Sequence, residues 1–294
     1  MIPAQGTLDT HPGSDAAGLL FAAEMYGVQL DHLAAVLGVS ETRARSVAAR
    51  WRGRRYAESA RLGPGGPWTW VTKAGLAACG LPYTAAPPAL GRLAHIRAVV
   101  AVRLALESAS GYAAASGYWR SERRLRARTG GRVGLRQHIP DGEVHWPDDA
   151  PVPWAGECWA IEAELTPKTT GRTVAIMREL LTRTGDYGCP AAEIVAGGPP
   201  RHTRVIYLCA PAARPTVARA REALGTSGAR IEIRLLPPGA AMAMPAQGQA
   251  TPAHHRAEPA RGQAVPFRPK AQLSHPPGPP SHPLASPSHP QAPP

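Results

Sequence analysis

Apolar side chains recur at helical spacing near the start of the chain. Ala17, Leu20 and Phe21, with Glu24, open a period that ends near Gly27 and predicts a first helix. A second is predicted over LDHLAAVLG, where Leu30, Leu33, Ala34 and Leu37 share one face and Gly38 supplies the stop. In the following VSETRARSVAARWRGRR, Ser40 is a natural N-cap, and Ala44, Val47, Ala48 and Trp51 fall at i, i+3, i+4 and i+7. That phase turns Arg43, Arg45, Ser46 and Arg50 away from the core. The turn-forming Gly63-Pro64-Gly65-Gly66-Pro67 then leads into the alternating WTWVT, as a small hairpin would, with Trp68 and Trp70 as core residues.

PYTAAPPAL, at 82 to 90, has the composition of a linker. Beyond it Leu93, Ile96, Val100 and Leu104 mark a long amphipathic helix from Leu90 to Glu107, followed by the basic stretch WRSERRLRARTGGRVGLR. Strands are expected around 132 to 139, 143 to 146 and 157 to 165, then a helix from Arg172 to Thr184, a strand at RVIYLCA, a helix through 214 to 224 and a strand at IEIRLL. This order of helix, three strands, helix, strand, helix, strand predicts an α/β fold. From Pro237 onward Pro, Ala, His, Gln and Ser dominate and cannot build a core, so a disordered tail is expected. Its Ser-His-Pro triplets at 274, 281 and 288 read as low complexity. The expected organisation is a disordered N-terminus over 1–14, a DNA-binding domain over 15–81, a linker over 82–90, an α/β domain over 91–236 and the tail over 237–294.

Length agrees, since 294 residues allow two modest folded units plus a tail. The formal charge of +12 favours a polyanionic partner. Arginine supplies nearly all of it, the only lysines being Lys73, Lys168 and Lys270, which has the look of coding bias rather than of arginine chemistry. Cys79, Cys158, Cys189 and Cys209 form no CxxC pair and no ligand spacing with histidine, so neither a zinc site nor a disulfide framework is expected, and they read as buried thiols in a reducing cytoplasm. No secretory leader and no 18-residue apolar run is present, so no membrane partner is expected.

Short helix, tight turn and arginine-faced second helix are the makings of a helix-turn-helix, and the hairpin would be its wing. Arg43, Arg45, Ser46, Arg50 and Arg54 would meet DNA from the second helix, with Arg61 reaching phosphate from the wing. A solvated arginine face on an ordinary helical bundle is the plainer alternative.

The segments HIPDGEV at 138 to 144 and WAIEAELTPK at 159 to 168 carry the candidate chemistry. On a strand, residues i and i+2 share a face, so Glu162 and Glu164 would project together while Ile161, Ala163 and Leu165 pack inward. Asp141 would join them from a neighbouring strand. Clustered carboxylates raise one another's pKa unless a divalent cation neutralises them, and hard oxygen donors suit Mg²⁺ or Mn²⁺. Each residue also has a plain reading: Glu162 and Glu164 as the solvent-facing edge of a half-buried strand, Asp141 as a turn residue in Pro-Asp-Gly.

Pro140-Asp141 ahead of a strand carrying Glu162-Ala163-Glu164, in this element order, resembles the PD-(D/E)XK, or restriction-endonuclease-like, superfamily over about 90 to 236. The resemblance implies Asp141 and Glu162 as metal ligands, with Glu122 as an auxiliary acidic ligand in a basic helix-like segment. Glu164 stands where the family usually has a lysine, a departure that leaves Glu164 or Lys168 to position the attacking water. The longer arrangement, a winged helix followed by WRSE, HIPDGEV and AIEAELTPKT, is similar to the replication-relaxation family of actinobacterial plasmids and integrative elements over about 15 to 236. It implies a role in replication, relaxation or transfer of a mobile element, with double-stranded DNA as partner.

Two functions follow. One is a Mg²⁺- or Mn²⁺-dependent endonuclease; the other is a non-enzymatic DNA-binding regulator whose second domain serves for homodimerisation or partner binding. There is no G-x-S-x-G elbow and no Walker-type loop. His138 and His145 are read as strand residues, and Tyr112, Tyr118 and Tyr207 as packing residues, so a covalent tyrosine mechanism is not expected.

Overall fold

Helix α1 (Asp15–Glu24) begins at Ser14, whose hydroxyl accepts from the Ala17 amide and so satisfies one orphan donor of the first turn. After the two-residue strand β1 (Val28–Gln29) comes α2 (Leu30–Leu37), closed by Gly38 at φ 64°, a left-handed conformation that glycine adopts without steric cost. Helix α3 (Glu41–Gly53) starts at Ser40, which accepts from Arg43 N. Its buried residues are Ala44, Val47, Ala48 and Trp51, the four positions that the helical period predicts. Strands β2 (Ala57–Ala60) and β3 (Trp68–Val71) form the expected antiparallel hairpin, with Trp68 and Trp70 in the core. Strand β1 adds a third strand in the order β1-β3-β2, and α4 (Lys73–Ala78) follows. A two-residue strand and a six-residue helix are too short to leave a period in the sequence.

The structure, a computed structural model, describes residues 14–109, 112, 115–128, 138–185, 187 and 199–241. Of the expected disordered segments, 1–14 and 237–294, the parts before Ser14 and beyond Ala241 lie outside these residues, as do the part of the expected strand before His138 and Cys189; Ala240, within the expected tail, is buried. No helix among the described residues is long and apolar enough to cross a membrane.

The stretch from Pro82 to Ala89 carries no helix or strand, and a 3₁₀ turn (Leu90–Arg92) leads into α5 (Leu93–Glu107). The sheet that follows is mixed, so the fold is mixed α/β. Its strands β4 (Tyr118–Ser121), β5 (Gly142–His145), β6 (Cys158–Glu164), β7 (Arg204–Cys209) and β8 (Ile231–Leu235) lie in chain order, the first three antiparallel and the last three parallel. Helices α6 (Glu122–Arg128), α7 (Thr170–Thr182) and α8 (Arg214–Glu222) connect them, the last two supplying the crossovers that parallel strands require.

Two expectations are corrected. The strand that edges the sheet beside β5 is Tyr118–Ser121, overlapping the start of the basic stretch, and His138 and Ile139 have no regular structure. Pro-Asp-Gly is not a simple turn: Gly142 opens β5, and a Cβ there would lie 2.1 Å from the Trp119 ring of the neighbouring strand. Glycine is needed for that close approach.

One hydrophobic cluster runs through both sequence regions, joining Leu33, Trp51 and Trp68 to Val100, Trp146, Ile161 and Ile206. The opposite face of β6 and β7 packs Ala160, Val205 and Tyr207 against Ile176, Met177, Leu180 and Val217 of α7 and α8. Each such aliphatic side chain contributes roughly 1.5–3 kcal/mol on burial. Polar ties reinforce the joint: Glu24 of α1 accepts from Tyr83 (2.9 Å) and Ser121, while Arg123 donates to the carbonyls of Ala23 and Thr84, both at 2.6 Å. Arg97 of α5 makes a two-pronged pair with Asp31 at 2.6 and 3.0 Å.

Candidate functional site

The outer face of α3 presents Arg43, Arg45, Ser46, Arg50 and Arg54, all exposed, as the helical phase predicts. Arg52 and Arg55 are exposed at the same helix end and extend the basic face; their phase in the ARWRGRR run is the signal that identifies them. Two of the predicted contacts are already engaged. Arg50 pairs with Asp15 at 2.5 Å, and the Ser46 hydroxyl donates to Thr42 O at 3.2 Å. Arg61 is exposed just past β2, in the connection between the hairpin strands. Among the described residues of the 119–136 stretch, Arg123 is buried as a staple and Arg126 pairs with Glu122.

The second constellation lies at one end of β5 and β6. Gly142 pairs with Ile161, so Asp141, one residue earlier, falls beside Glu162; the Glu122 amide donates to Asp141 O at 3.2 Å. Glu122, Asp141 and Glu162 therefore stand side by side across three neighbouring segments. Glu162 and Glu164 share a face as expected, but they are not solvent-facing: each is only 4% exposed. The reason is that β6 is the central strand of five, covered on both sides.

Each carboxylate has a protein partner. Asp141 meets His95 Nε2 at 2.8 Å and accepts from Ala163 N at 2.8 Å. Glu162 meets His138 Nε2 at 2.7 Å, and Glu164 pairs with Lys168, which is exposed. Glu122 is held by Arg92 at 2.8 Å and Arg126 at 2.7 Å. Burial, helped by the Asp141 charge, pushes Glu162 up to about 7 in spite of His138 and Lys168. For His95 burial pulls downward, yet the hydrogen bond to Asp141 and its charge win, and the pKa is raised; His138 is raised in the same way by Glu162. Tyr207, beside Glu162 in the parallel β6–β7 register, keeps a buried hydroxyl without a hydrogen-bond partner among the described residues.

Sequence reasoning missed His95 and Arg92. Arg92 stands at the N-cap of α5 and His95 lies in its first turn, positions that become meaningful only once α5 is known to pack on the sheet. His138 does not act as a strand residue, because its ring closes over Glu162.

A third group lies two residues along β5. Glu143 is fully buried and accepts from Arg201 Nε (2.6 Å) and Nη2 (2.7 Å), from His202 (2.8 Å) and from His145 (2.8 Å). Burial alone would raise its pKa, but hydrogen bonds from His145, His202 and Arg201 outweigh burial and hold it far below the carboxylate range. Cys158 Sγ lies 3.6 Å from His145 Nε2. Cys79 and Cys158 are half-buried rather than buried, whereas Cys209 is buried as expected. Tyr112 and Tyr207 pack in the core, but Tyr118 is 41% exposed.

Fold and site thus define a mixed α/β protein with an arginine-faced helix and a file of buried carboxylates on its central strands. Comparison with protein-family models, with curated proteins and with solved structures finds no match.

Proposed function

We propose that the protein binds double-stranded DNA through a winged helix-turn-helix formed by α1 to α3 and the β2–β3 hairpin, and that the five-stranded sheet is a restriction-endonuclease-like domain. The observation that carries the DNA reading is the exposed arginine face of α3. A helix of this kind enters the major groove while neighbouring cations bind phosphate, and each phosphate contact releases counterions. Replacing Arg43, Arg45 and Arg54 together by alanine should weaken duplex binding and lower the salt slope of log K by about 2.7, three times the ~0.9 expected per phosphate contact. An unchanged slope would overturn the DNA face.

The sheet domain is proposed to hydrolyse phosphodiester bonds, in keeping with the resemblance to the PD-(D/E)XK and replication-relaxation families and a role on a mobile element. The donor set fits Mg²⁺ or Mn²⁺: Asp141 and Glu162 are neighbouring hard-oxygen donors, and the orphaned Tyr207 hydroxyl beside Glu162 suits the water shell that Mg²⁺ retains. Asp141 and Glu162 would hold the ion, with Glu122 as auxiliary; bound there it supplies a Lewis acid and a water of lowered pKa. The Glu162 carboxylate, its pKa raised by burial, lies 2.7 Å from His138 Nε2, which would orient it toward the ion. Lys168, exposed at the strand end and paired with Glu164, is the side chain able to reach an incoming phosphate.

One observation favours a second reading, the non-enzymatic regulator. His95, His138, Lys168, Arg92 and Arg126 already occupy the carboxylates as hydrogen-bond or ion-pair partners, so each has a protein partner without a metal ion. Incubating supercoiled plasmid with Mg²⁺, Mn²⁺ or EDTA separates the two. Metal-dependent nicking lost in Glu162→Ala supports the nuclease; intact DNA binding without cleavage supports the regulator.

A further inference from the structure

Strand pairing brings Cys158 to two side chains of the preceding strand. His145 lies directly opposite Cys158 in the β5–β6 ladder, and Glu143 sits two residues before His145 on the same face. One ligand atom from each of Glu143, His145 and Cys158 lies within 4.8 Å of the others, and no other such triple of His, Cys, Asp or Glu is found among the described residues. The carboxylate file of Asp141, Glu162 and Glu122 does not meet that condition.

We propose that Glu143, His145 and Cys158 form a binding site for a thiophilic divalent transition metal of the Zn²⁺ class. The donor set of one carboxylate oxygen, one imidazole nitrogen and one sulfur is a Zn²⁺ set and a poor one for Mg²⁺. Bond lengths of about 2.05 Å to nitrogen and 2.3 Å to sulfur, at a tetrahedral angle, put N and S about 3.6 Å apart. The observed Nε2–Sγ distance is 3.6 Å. Oxygen and nitrogen of such a site stand about 3.4 Å apart, so the 2.8 Å between Glu143 Oε2 and His145 Nε2 must open slightly as the ion enters that hydrogen bond.

The alternative chemistry for Cys, His and Glu in contact is a nucleophilic triad, and the geometry argues against it. A triad needs one imidazole nitrogen on the thiol and the other on the acid. Here the same atom, Nε2, faces both Cys158 Sγ and Glu143 Oε2, as two ligands of one ion would be arranged about a third.

The surroundings hold these ligands as a metal site requires. Arg201, donating to both oxygens, and His202, donating to Oε1, fix the Glu143 carboxylate and leave Oε2 one further acceptor site toward His145, and Tyr118 stacks on the His145 ring at 4.9 Å and 12°. His145 and Cys158 are both part-exposed, so the pair borders solvent, from which an ion and a water as fourth ligand would come. On binding, the thiol releases its proton to solvent, and the proton that Nε2 gives to Glu143 in the metal-free protein leaves that atom through solvent exchange, the neutral imidazole carrying its proton on Nδ1 so that Nε2 can ligate. The site is independent of the DNA and nuclease readings, because it uses neither the arginine face nor the Asp141–Glu162 pair.

The test is titration of the full-length, metal-stripped protein with Co²⁺, followed by absorbance, with no DNA present. A thiolate-to-cobalt charge-transfer band should appear, be displaced by Zn²⁺ and be untouched by Mg²⁺. Because that band reports sulfur ligation, histidines elsewhere in the chain cannot produce it. Cys158→Ser should abolish the band, His145→Gln should lower Co²⁺ affinity by at least about tenfold, and Cys79→Ser should change nothing. Zn²⁺ should also raise the melting temperature of the natural protein and not that of Cys158→Ser. No band in a protein whose circular dichroism shows it folded, or a band that persists in Cys158→Ser, overturns the site.

Discussion

The helical region, α1 to α4, and the five-stranded sheet handle charge in opposite ways. On α3 the apolar residues face inward and the arginines face water, so the chemistry sits outside a conventional core. In the sheet, Glu143, Glu162 and Glu164 are buried on the central strands, with partners brought from the segment before β5, the loop after β6 and the loop before β7. An exposed charge costs little and depends on little. A buried charge must be met by another group, and removing that group leaves an uncompensated ion in a poorly solvated place. The two regions should therefore respond differently to substitution, and that difference can be measured.

The largest expected effect is at Glu143. Changing it to alanine strands Arg201 and His202 without their acceptor, which should cost about 3–5 kcal/mol in urea denaturation. A loss below about 1 kcal/mol would mean that the sheet tolerates charge removal as a surface does, and the contrast between the regions would fail. Next comes Gly142→Ala, whose new methyl collides with the Trp119 ring. Relief by moving a packed indole should cost about 1–3 kcal/mol, read in the same titration.

The same contrast explains what the sequence made legible. The buried set Ala44, Val47, Ala48 and Trp51, the Ser40 cap and the Gly38 stop were readable because a helix is specified by residues within a few positions of one another. The carboxylate file was only partly readable. Its members were visible as acidic residues at strand spacing, but their burial was not, because it depends on β6 being central in a five-stranded order. The His145–Cys158 pair was not readable at all. Thirteen residues apart, it is set by the register of two strands, and no ligand spacing in the chain announces it. Tyr118–Ser121 was hidden for another reason: a four-residue strand overlapping the start of an arginine-rich stretch carries almost no alternation.

A smaller effect concerns pH, and its sign should differ between the regions. His32 of α2 is buried, and burial holds its pKa below the usual 6.5. As pH falls through 6.5 the unfolded chain takes up the proton first, so His32 removes stability on the acid side. His95 is raised above 6.5, Asp141 overcoming burial. Its contribution is complete below 6.5 and is lost as pH rises through the raised value. Urea midpoints measured between about pH 5 and 8 should show the stability difference between natural protein and His32→Gln growing with pH, and that for His95→Gln shrinking. Parallel slopes would show that the two histidines do not report opposite surroundings.

The smallest effect on stability is expected where the proposed function is richest. Arg43 and Arg45 lie in the first turns of α3, whose positive dipole end favours the acidic Glu41 and disfavours cations. Neither side chain contributes to the core, and alanine is the better helix former. Arg43→Ala combined with Arg45→Ala should therefore leave the unfolding free energy unchanged or raise it, by no more than about 0.5 kcal/mol. If folding does not require these arginines at this end of the helix, their value lies in what they touch, and the same double variant should lose affinity for duplex DNA. A variant that unfolds as readily as Gly142→Ala would instead make the arginine face a structural element, and the charge outside the core would no longer be free to serve binding.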